Sequence, residues 1–229
     1  MNPPASYLAW TRPRSLLWAW TGLEADGERD WESWLQAGEA RLEQAARRKA
    51  GIAGHGRGQA RRVELGGRKG VWRTNRHGGL LGPLLRDRFR DPSRLFLEVW
   101  LSENLRAAKI PTPRVLLALA LRRGLHWRQH LVTEEVGGAR TVFAAREEPE
   151  VLEKAQAFLE ALFDLGLWAP DLHPGNLLWE PQARRIWIID LAGARMKGRP
   201  LDPGERRTRR QRFQRFFLKH GAELPAPLR

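Results

Sequence analysis

The sequence contains no cysteine, a single tyrosine and no long apolar run. The absence of cysteine excludes disulfides, thiolate metal centres, iron–sulfur clusters and cysteine nucleophiles. Apolar runs such as Val115 to Leu121 are far shorter than the roughly 18 residues that a membrane-spanning helix requires. The first 20 residues have neither an extended apolar segment nor a small-residue cleavage site, so they do not indicate a secretory signal. We therefore expect a cytoplasmic protein without a covalent tie to a membrane.

Acidic residues are scarce relative to basic ones. Of 229 residues, 40 are Lys or Arg and 26 are Asp or Glu, which gives a formal net charge of +14. Only 6 of the basic residues are Lys, and the planar guanidinium of Arg suits bidentate contacts with phosphate. This charge fits nucleic acid, an anionic membrane surface or a phosphorylated substrate as partner. A genome-wide preference for arginine codons would also produce it.

The order of local patterns predicts an α+β fold. The length fits one domain, or one domain with two lobes, and a hydrophobic share of 42% supplies a sizeable core. We expect a helical extension over residues 1–50, a small β-rich lobe with a glycine-rich loop over 51–136, and a mainly helical lobe with a catalytic loop and a basic C-terminal helix over 137–229.

Hydrophobic periodicity predicts the individual elements of these lobes. Helices are expected at 28–50, 92–108, 149–166 and 203–220, and strands at 61–65, 70–76, 114–121, 130–136, 177–180 and 185–190.

The most informative stretch is PDLHPGNLLW, followed by IIDLAG. Asp171 and Asn176 stand five residues apart in a polar loop, and Asp190 ends an apolar strand 14 residues later. Phosphoryl transfer needs a carboxylate that orients the attacking hydroxyl, and it needs oxygen ligands for the magnesium that bridges the nucleotide phosphates. This spacing therefore predicts Asp171 as the base and Asn176 and Asp190 as metal ligands.

His173 lies inside the same loop and raises the alternative of a metal hydrolase, because imidazole and carboxylates together form such sites. The other five histidines show no ligand-like pairing on a helix face. We therefore interpret His173 as a polar loop residue near the metal or the acceptor.

A kinase also needs a loop over the phosphates and a cation near them. Gly54, Gly56 and Gly58 come just before a predicted strand, where closely approaching backbone N–H groups can cradle phosphate. Arg73 on the next strand is the candidate cation, and Glu98 on the following helix is its candidate ion-pair partner. Alternatively, these two residues are a solvated strand residue and a surface helix charge.

From about residue 51 to about residue 217 the chain resembles the lipopolysaccharide core kinases, the Kdo/heptose kinase group of the protein-kinase-like superfamily. The resemblance rests on VWRTNRHGGLLGPLLRDRF, EVWLSENLRAAKIPTPRVL and LVTEEVGGARTV. It implies a bilobal kinase fold, ATP with Mg²⁺ as phosphate donor, and a sugar hydroxyl of the lipopolysaccharide inner core as acceptor. It also implies a peripheral position on the cytoplasmic face of the inner membrane.

The resemblance assigns the same roles to the residues already singled out. Asp171 matches the catalytic aspartate, Asn176 and Asp190 match the magnesium ligands, and Arg73 and Glu98 match the strand cation and its helical partner. It further implies that Thr133 to Val136 form the hinge whose backbone meets the adenine, with Glu134 and Val136 as cofactor-binding residues beside Gly56 and Gly58.

Three positions depart from the family pattern. Ala169 stands where a histidine usually precedes the catalytic aspartate, the triplet after the second strand reads Asp190-Leu191-Ala192, and the strand cation is arginine rather than lysine. None of these changes removes a predicted metal ligand or the base, so we expect an active enzyme.

Other functions stay open at this point. The loop also resembles that of aminoglycoside and choline phosphotransferases, which would make the protein a soluble small-molecule kinase, and a degenerate kinase could serve as a basic binding protein. A nucleic-acid partner is not expected, because no nucleic-acid motif is present. The arginines between Glu205 and His220 either face anionic lipid or acceptor phosphates, or form the solvated face of a packed helix.

Overall fold

A computed structural model describes residues 1–25, 27, 29–48, 52–54, 60–77 and 85–223. Two compact units divide the chain: Met1–Trp100 with Arg114–Glu135, and Leu101–Pro113 with Val136–Arg229. The first is rich in antiparallel strands, and the second contains two long helices with short strand pairs. The predicted α+β class is thereby confirmed.

The elements of the first unit are β1 (Tyr7–Arg12), β2 (Ser15–Trp20), α1 (Thr21–Ala25), α2 (Trp31–Arg48), β3 (Ile52–Gly54), β4 (Ala60–Leu65), β5 (Arg68–Thr74), β6 (Val115–Arg123) and β7 (His126–Glu134). Helix α3 (Ser93–Ala107) begins in this unit and continues into the second. The second unit then contains β8 (Arg140–Thr141), α4 (Pro149–Asp164), β9 (Leu167–Trp168), a 3₁₀ turn (Pro174–Asn176), β10 (Leu177–Glu180), β11 (Arg185–Ile188), β12 (Arg195–Met196) and α5 (Pro203–Lys219).

A seven-stranded antiparallel sheet, in the order β1-β2-β6-β7-β5-β4-β3, forms the first unit. Strand β6 is apolar from Val115 to Leu121 because both of its faces are covered there. Leu117 and Leu119 pack in one cluster with Trp34 of α2, whereas Ala118 and neighbouring residues pack on the other face with Val99 of α3. Successive side chains of a strand point to opposite faces, so a continuous apolar run is the expected pattern for a strand between two helices.

The N-terminal residues belong to this sheet, which corrects the prediction of a separate helical extension over 1–50. Helix α2 is present as expected, but β1 and β2 form a hairpin whose second strand pairs with β6, for example Leu17 opposite Leu119. In β2 Leu17 and Ala19 lie in the cluster beneath α2, and Trp18 lies in the cluster with α3. The hairpin joins the sheet because its alternating side chains complete both hydrophobic layers.

In the second unit, α4 ends where the chain must turn sharply beneath a neighbouring segment. Gly166 has φ +82°, and a Cβ at this position would lie 2.1 Å from the carbonyl oxygen of Arg199. The backbone of Lys197 donates to the Gly166 carbonyl at 2.9 Å, and that of Leu201 donates to Phe163 at 2.9 Å. Glycine is therefore required both for the left-handed conformation and for the close approach of this segment.

Helix α5 begins with a capping box and is held by two phenylalanines. Asp202 accepts from the backbone N–H of Glu205 at 2.9 Å, and Glu205 accepts from that of Asp202 at 3.1 Å. Phe213 and Phe217 are 1% and 0% exposed within the main apolar cluster of the unit. The helix therefore packs its aromatic side chains against the fold and leaves many of its arginines exposed.

Among the described residues, no helix combines the length and apolarity needed to cross a membrane.

Candidate active site

The loop from Ala169 to Asn176 presents Asp171 to solvent between two buried anchors. Ala169 and Leu172 are 4% and 1% exposed and belong to the apolar cluster of the second unit, whereas the Asp171 side chain is 50% exposed. Pro174 begins the 3₁₀ turn that closes the loop. The carboxylate is thus accessible while its backbone is fixed.

Asn176 connects this loop to the end of β11. Its side-chain amide donates to the backbone carbonyl of Asp171 at 2.9 Å. The backbone carbonyl of Asn176 accepts from the backbone N–H of Ile189 at 3.0 Å, and Ile189 directly precedes Asp190. The structure therefore brings the three predicted residues of this unit to one edge of the β10–β11 hairpin.

Asp190 adopts an unusual backbone conformation, with φ +57°. Non-glycine residues rarely occupy the left-handed region, where aspartate is tolerated better than most because its carboxylate can bond locally. Here Oδ1 accepts from the backbone N–H of Ala192 at 3.3 Å, and Leu191 is buried at 4% exposure. Burial of Leu191 and this turn hold the exposed carboxylate beyond the strand, an arrangement often found at functional positions.

His173 stabilises the loop from inside. Its Nδ1 accepts from the backbone N–H of Gly175 at 3.1 Å, and its ring stacks on Phe216 with centroids 4.3 Å apart. Burial lowers the pKa of His173 below its ordinary value, more than the nearby Asp171 carboxylate raises it. The ring is therefore a neutral packing element near neutral pH, and no cluster of three or more His, Asp or Glu able to hold a metal occurs among the described residues.

Two arginines of α5 contact the loop directly. Arg212 pairs with Asp171, with Nη2 and Oδ1 2.6 Å apart. Arg209 donates to the carbonyls of Ala169 and Pro170 at 3.1 and 3.2 Å, and its guanidinium lies over the ring of Trp168 at 4.1 Å. Sequence reasoning singled out the arginines of this helix but did not place any of them on the predicted base.

In the first unit, Arg73 and Glu98 form the predicted ion pair between β5 and α3. Glu98 is 4% exposed, and the Arg73 side chain is 22% exposed. Arg73 also donates to Oδ1 of the buried Asn75 at 2.6 Å. The alternative of a surface helix charge is therefore wrong for Glu98, and Arg73 has its guanidinium fixed by two partners.

The predicted hinge, Thr133 to Val136, spans the end of β7 and the two residues after it. The backbone N–H of Glu134 donates to Arg114 at 2.8 Å and that of Glu135 to Lys69 at 3.0 Å, which fixes the segment against the sheet. Val136 is the first residue of the second unit beyond this point.

Other predicted site residues fall elsewhere. A cleft of about 650 Å³ opens beside the turn between β4 and β5, and of the predicted hinge it includes Glu134 and Glu135. Its mixed charges do not identify a ligand. Gly56 and Gly58 lie outside the described residues.

Comparison with known proteins decides the family. Residues 43–216 match the model of the lipopolysaccharide kinase (Kdo/WaaP) family. This chain belongs to that family. It is 31% identical to the 3-deoxy-D-manno-octulosonic acid kinase of Vibrio vulnificus strain YJ016 over 187 residues, 76% of this chain and 79% of the relative. It is also 31% identical over 152 residues to the kinase of the same name from Xanthomonas oryzae pv. oryzae strain PXO99A, covering 58% and 60%.

A solved structure, described as WaaP in complex with acyl carrier protein, shares the fold. It has a TM-score of 0.50 and 16% identity, and the match covers 81% of this chain and 77% of that one. The predicted kinase-like fold and the predicted class of phosphotransferase are thus confirmed for this Kdo/WaaP family member. The roles of its individual residues stay predictions.

Proposed function

We propose that this kinase transfers the γ-phosphoryl group of ATP, with Mg²⁺, to a hydroxyl of 3-deoxy-D-manno-octulosonic acid (Kdo) in the lipopolysaccharide inner core. The observation that carries this proposal is the junction at Asn176, which joins the loop of Asp171 to the strand end of Asp190. A base and two oxygen donors at one edge are the set that phosphoryl transfer requires.

Each residue then has a distinct task. The exposed carboxylate of Asp171 orients the acceptor hydroxyl and accepts its proton as the phosphoryl group is transferred in line. Arg73, held by Glu98, contacts the donor phosphates, and the hinge at Glu134 and Val136 meets the adenine. Catalysis by these groups comes mainly from positioning and charge neutralisation.

The donor set suits magnesium. Mg²⁺ is usually bound by one or two carboxylates together with substrate phosphates and several waters, rather than by an all-protein cage. Asp190 supplies a carboxylate and Asn176 a carbonyl oxygen, so these residues would hold the ion. When bound, Mg²⁺ would neutralise the charge on the phosphates.

The departures from the kinase pattern leave this machinery intact. Ala169 cannot support the loop through a side chain, but its carbonyl accepts from Arg209 of α5. Ala192 contributes its backbone N–H to Asp190. Both alanines therefore support the proposed active residues through backbone atoms, which favours an active enzyme over a degenerate one.

Kdo is favoured over heptose as acceptor because both relatives cited above carry the name of Kdo kinases. Such an acceptor is embedded in a membrane, so we also infer a peripheral position on the cytoplasmic face of the inner membrane. The formal net charge of +14 would favour an anionic surface there.

Mass spectrometry of purified Kdo–lipid A after incubation with ATP and Mg²⁺ tests the proposal. Wild type should add the mass of one phosphate, and Asp171→Asn should add none because it removes the base while keeping the side-chain shape. Asp164→Asn is the matched control, since its carboxylate is exposed on α4 and pairs only with Arg206 among the described residues. It should retain full activity.

Two outcomes would contradict the proposal. Phosphorylation of a heptose-bearing acceptor, with Kdo–lipid A left unchanged, would move the acceptor to heptose. Full activity of Asp171→Asn would remove the assignment of the base.

A further inference from the structure

The arginines of α5 fall into two groups with different surroundings. Arg206 and Arg210 pair with Glu160 of α4 at 3.3 and 2.7 Å, and Arg206 also pairs with Asp164. These two fasten the helix to the unit.

The second group, Arg209, Arg212 and Arg215, is called here the loop-side arginines. Only Arg212 has a carboxylate partner within 4 Å among the described residues, and that partner is Asp171. Arg215 donates its Nε to the carbonyl of Gln211 alone. The three arginines follow one another at three-residue spacing, which makes consecutive members neighbours on the surface of α5, and the charges of Arg212 and Arg215 add to burial in lowering the pKa of Arg209. Arg212 and Arg209 both contact the loop, so positive charge lies next to the proposed base.

The ion pair with Arg212 engages the Asp171 carboxylate, which is the group that should bind the acceptor hydroxyl. Oδ1 of Asp171 accepts from Arg212, with both side chains about half exposed. An acceptor hydroxyl must therefore reach the other oxygen or displace the guanidinium. Neither side chain is buried, so exchange of partners carries no burial penalty.

Kdo is a sugar acid, and its carboxylate lies in the same monosaccharide as its hydroxyls. When a hydroxyl of the sugar lies at Asp171, the carboxylate of that sugar is no farther from Asp171 than the width of one sugar. Arg212 lies within that distance, because it contacts Asp171 directly. The guanidinium fork binds a carboxylate through two parallel hydrogen bonds and does so better than an ammonium group.

We propose that Arg212, assisted by Arg215, binds the carboxylate of the sugar acid whose hydroxyl is phosphorylated, and in doing so releases Asp171 to act on that hydroxyl. Arg209 is a positioning residue in this scheme, because its hydrogen bonds hold the Ala169 and Pro170 carbonyls. The inference rests on the proposed function, since it takes Asp171 as the base and Kdo as the acceptor.

The contribution of the carboxylate can be measured by comparing a short Kdo glycoside, without lipid or phosphate, with the methyl ester of the same glycoside. The quantity to measure is the ratio of kcat/KM for the acid to that for the ester. Wild type should prefer the acid by about tenfold to a hundredfold, as expected for a charge-assisted hydrogen-bonded pair. Arg212→Gln should bring the ratio close to one by raising the acceptor KM, with the KM for ATP unchanged, and Arg212→Lys should give an intermediate ratio.

Arg207→Gln is the matched control, because it removes the same charge from an exposed position of α5 that is outside the loop-side arginines. It should keep the wild-type ratio. A lost preference in Arg207→Gln as large as in Arg212→Gln would indicate bulk electrostatics and overturn the assignment.

The remaining outcomes separate this inference from the proposed function. If wild type phosphorylates acid and ester equally well, or Arg212→Gln keeps the preference, the carboxylate site is wrong while the kinase activity stands. If Arg212→Gln is impaired only on Kdo–lipid A that retains its lipid phosphates, the residue binds phosphate instead. If wild type phosphorylates neither glycoside nor Kdo–lipid A, the proposed function fails and this inference fails with it.

Discussion

Replacement of Arg73 by methionine should cost more stability than a typical ion pair. Glu98, its partner, is 4% exposed, and the second carboxylate oxygen has no hydrogen-bond partner in the described structure. Removing one member of a buried pair leaves an uncompensated charge, which costs about 3 kcal/mol or more. For a chain of this size that corresponds to a fall in unfolding temperature of roughly 6–12 °C.

A double variant separates folding from catalysis. Arg73→Met with Glu98→Leu replaces the ion pair by apolar groups, which is often neutral for stability. It should reverse most of the fall in unfolding temperature, and the part that remains should come from the lost hydrogen bond to Asn75. It should not recover activity, because a cation at the donor phosphates is worth about a hundredfold or more in turnover. Thermal unfolding followed by circular dichroism, together with steady-state kinetics in ATP, measures both effects.

One control variant and two contrary results test this reasoning about Arg73. Arg62→Met on the neighbouring strand breaks a pair with Glu135 in which the Arg62 side chain is 47% exposed, so it should cost less than about 1 kcal/mol. If Arg73→Met unfolds at the wild-type temperature, the burial argument is wrong. If the double variant regains turnover together with stability, Arg73 serves folding alone.

Three further predictions concern metal use, acid stability and packing. Asp190→Ala should abolish Mg²⁺-dependent turnover while the protein stays folded, with an unfolding temperature below that of wild type because alanine loses the hydrogen bond from Ala192 and is less tolerated at φ +57°. Burial lowers the pKa of His130 to about 4 from 6.5, so unfolding monitored against pH should show up to about 3 kcal/mol lost as pH falls through this window, and His130→Gln should remove that loss. Gly166→Ala should cost about 2 kcal/mol or more in denaturant unfolding, because a Cβ would meet the Arg199 carbonyl.

Local patterns predict most helices and strands, and they single out the candidate site residues of the second unit. The helices at 149–166 and 203–220 were found within two residues of their observed ends because amphipathic periodicity, proline and glycine mark them. Asp171, Asn176 and Asp190 are singled out because they lie close together in the sequence, on one loop and one hairpin, and their roles stay predictions. The conformation of a short segment depends mainly on its own residues, whereas the hydrogen bonds that hold it are seen only in the structure.

The N-terminal hairpin was missed for a different reason. Its strands YLAWTR and SLLWAW show no regular alternation of apolar and polar residues, and the two-residue turn at Pro13 and Arg14 lacks the usual Asn-Gly or Gly-Gly signal. Strand β2 also pairs with β6, about a hundred residues later in the chain. Only these contacts between distant parts of the chain show that the hairpin is part of the sheet and not a separate N-terminal extension.

The net charge of the chain is a weaker guide to partners than its size suggests. Arg123 and Arg128 pair with Glu39, and Arg206 and Arg210 pair with Glu160, so some of the basic residues hold helices to their neighbours. Codon preference would supply such arginines without any functional selection. Position distinguishes Arg212 from them, since its partner is the proposed base rather than a structural carboxylate. Evidence for an anionic acceptor therefore rests on the surroundings of this one residue, and a variant that changes charge elsewhere cannot substitute for it.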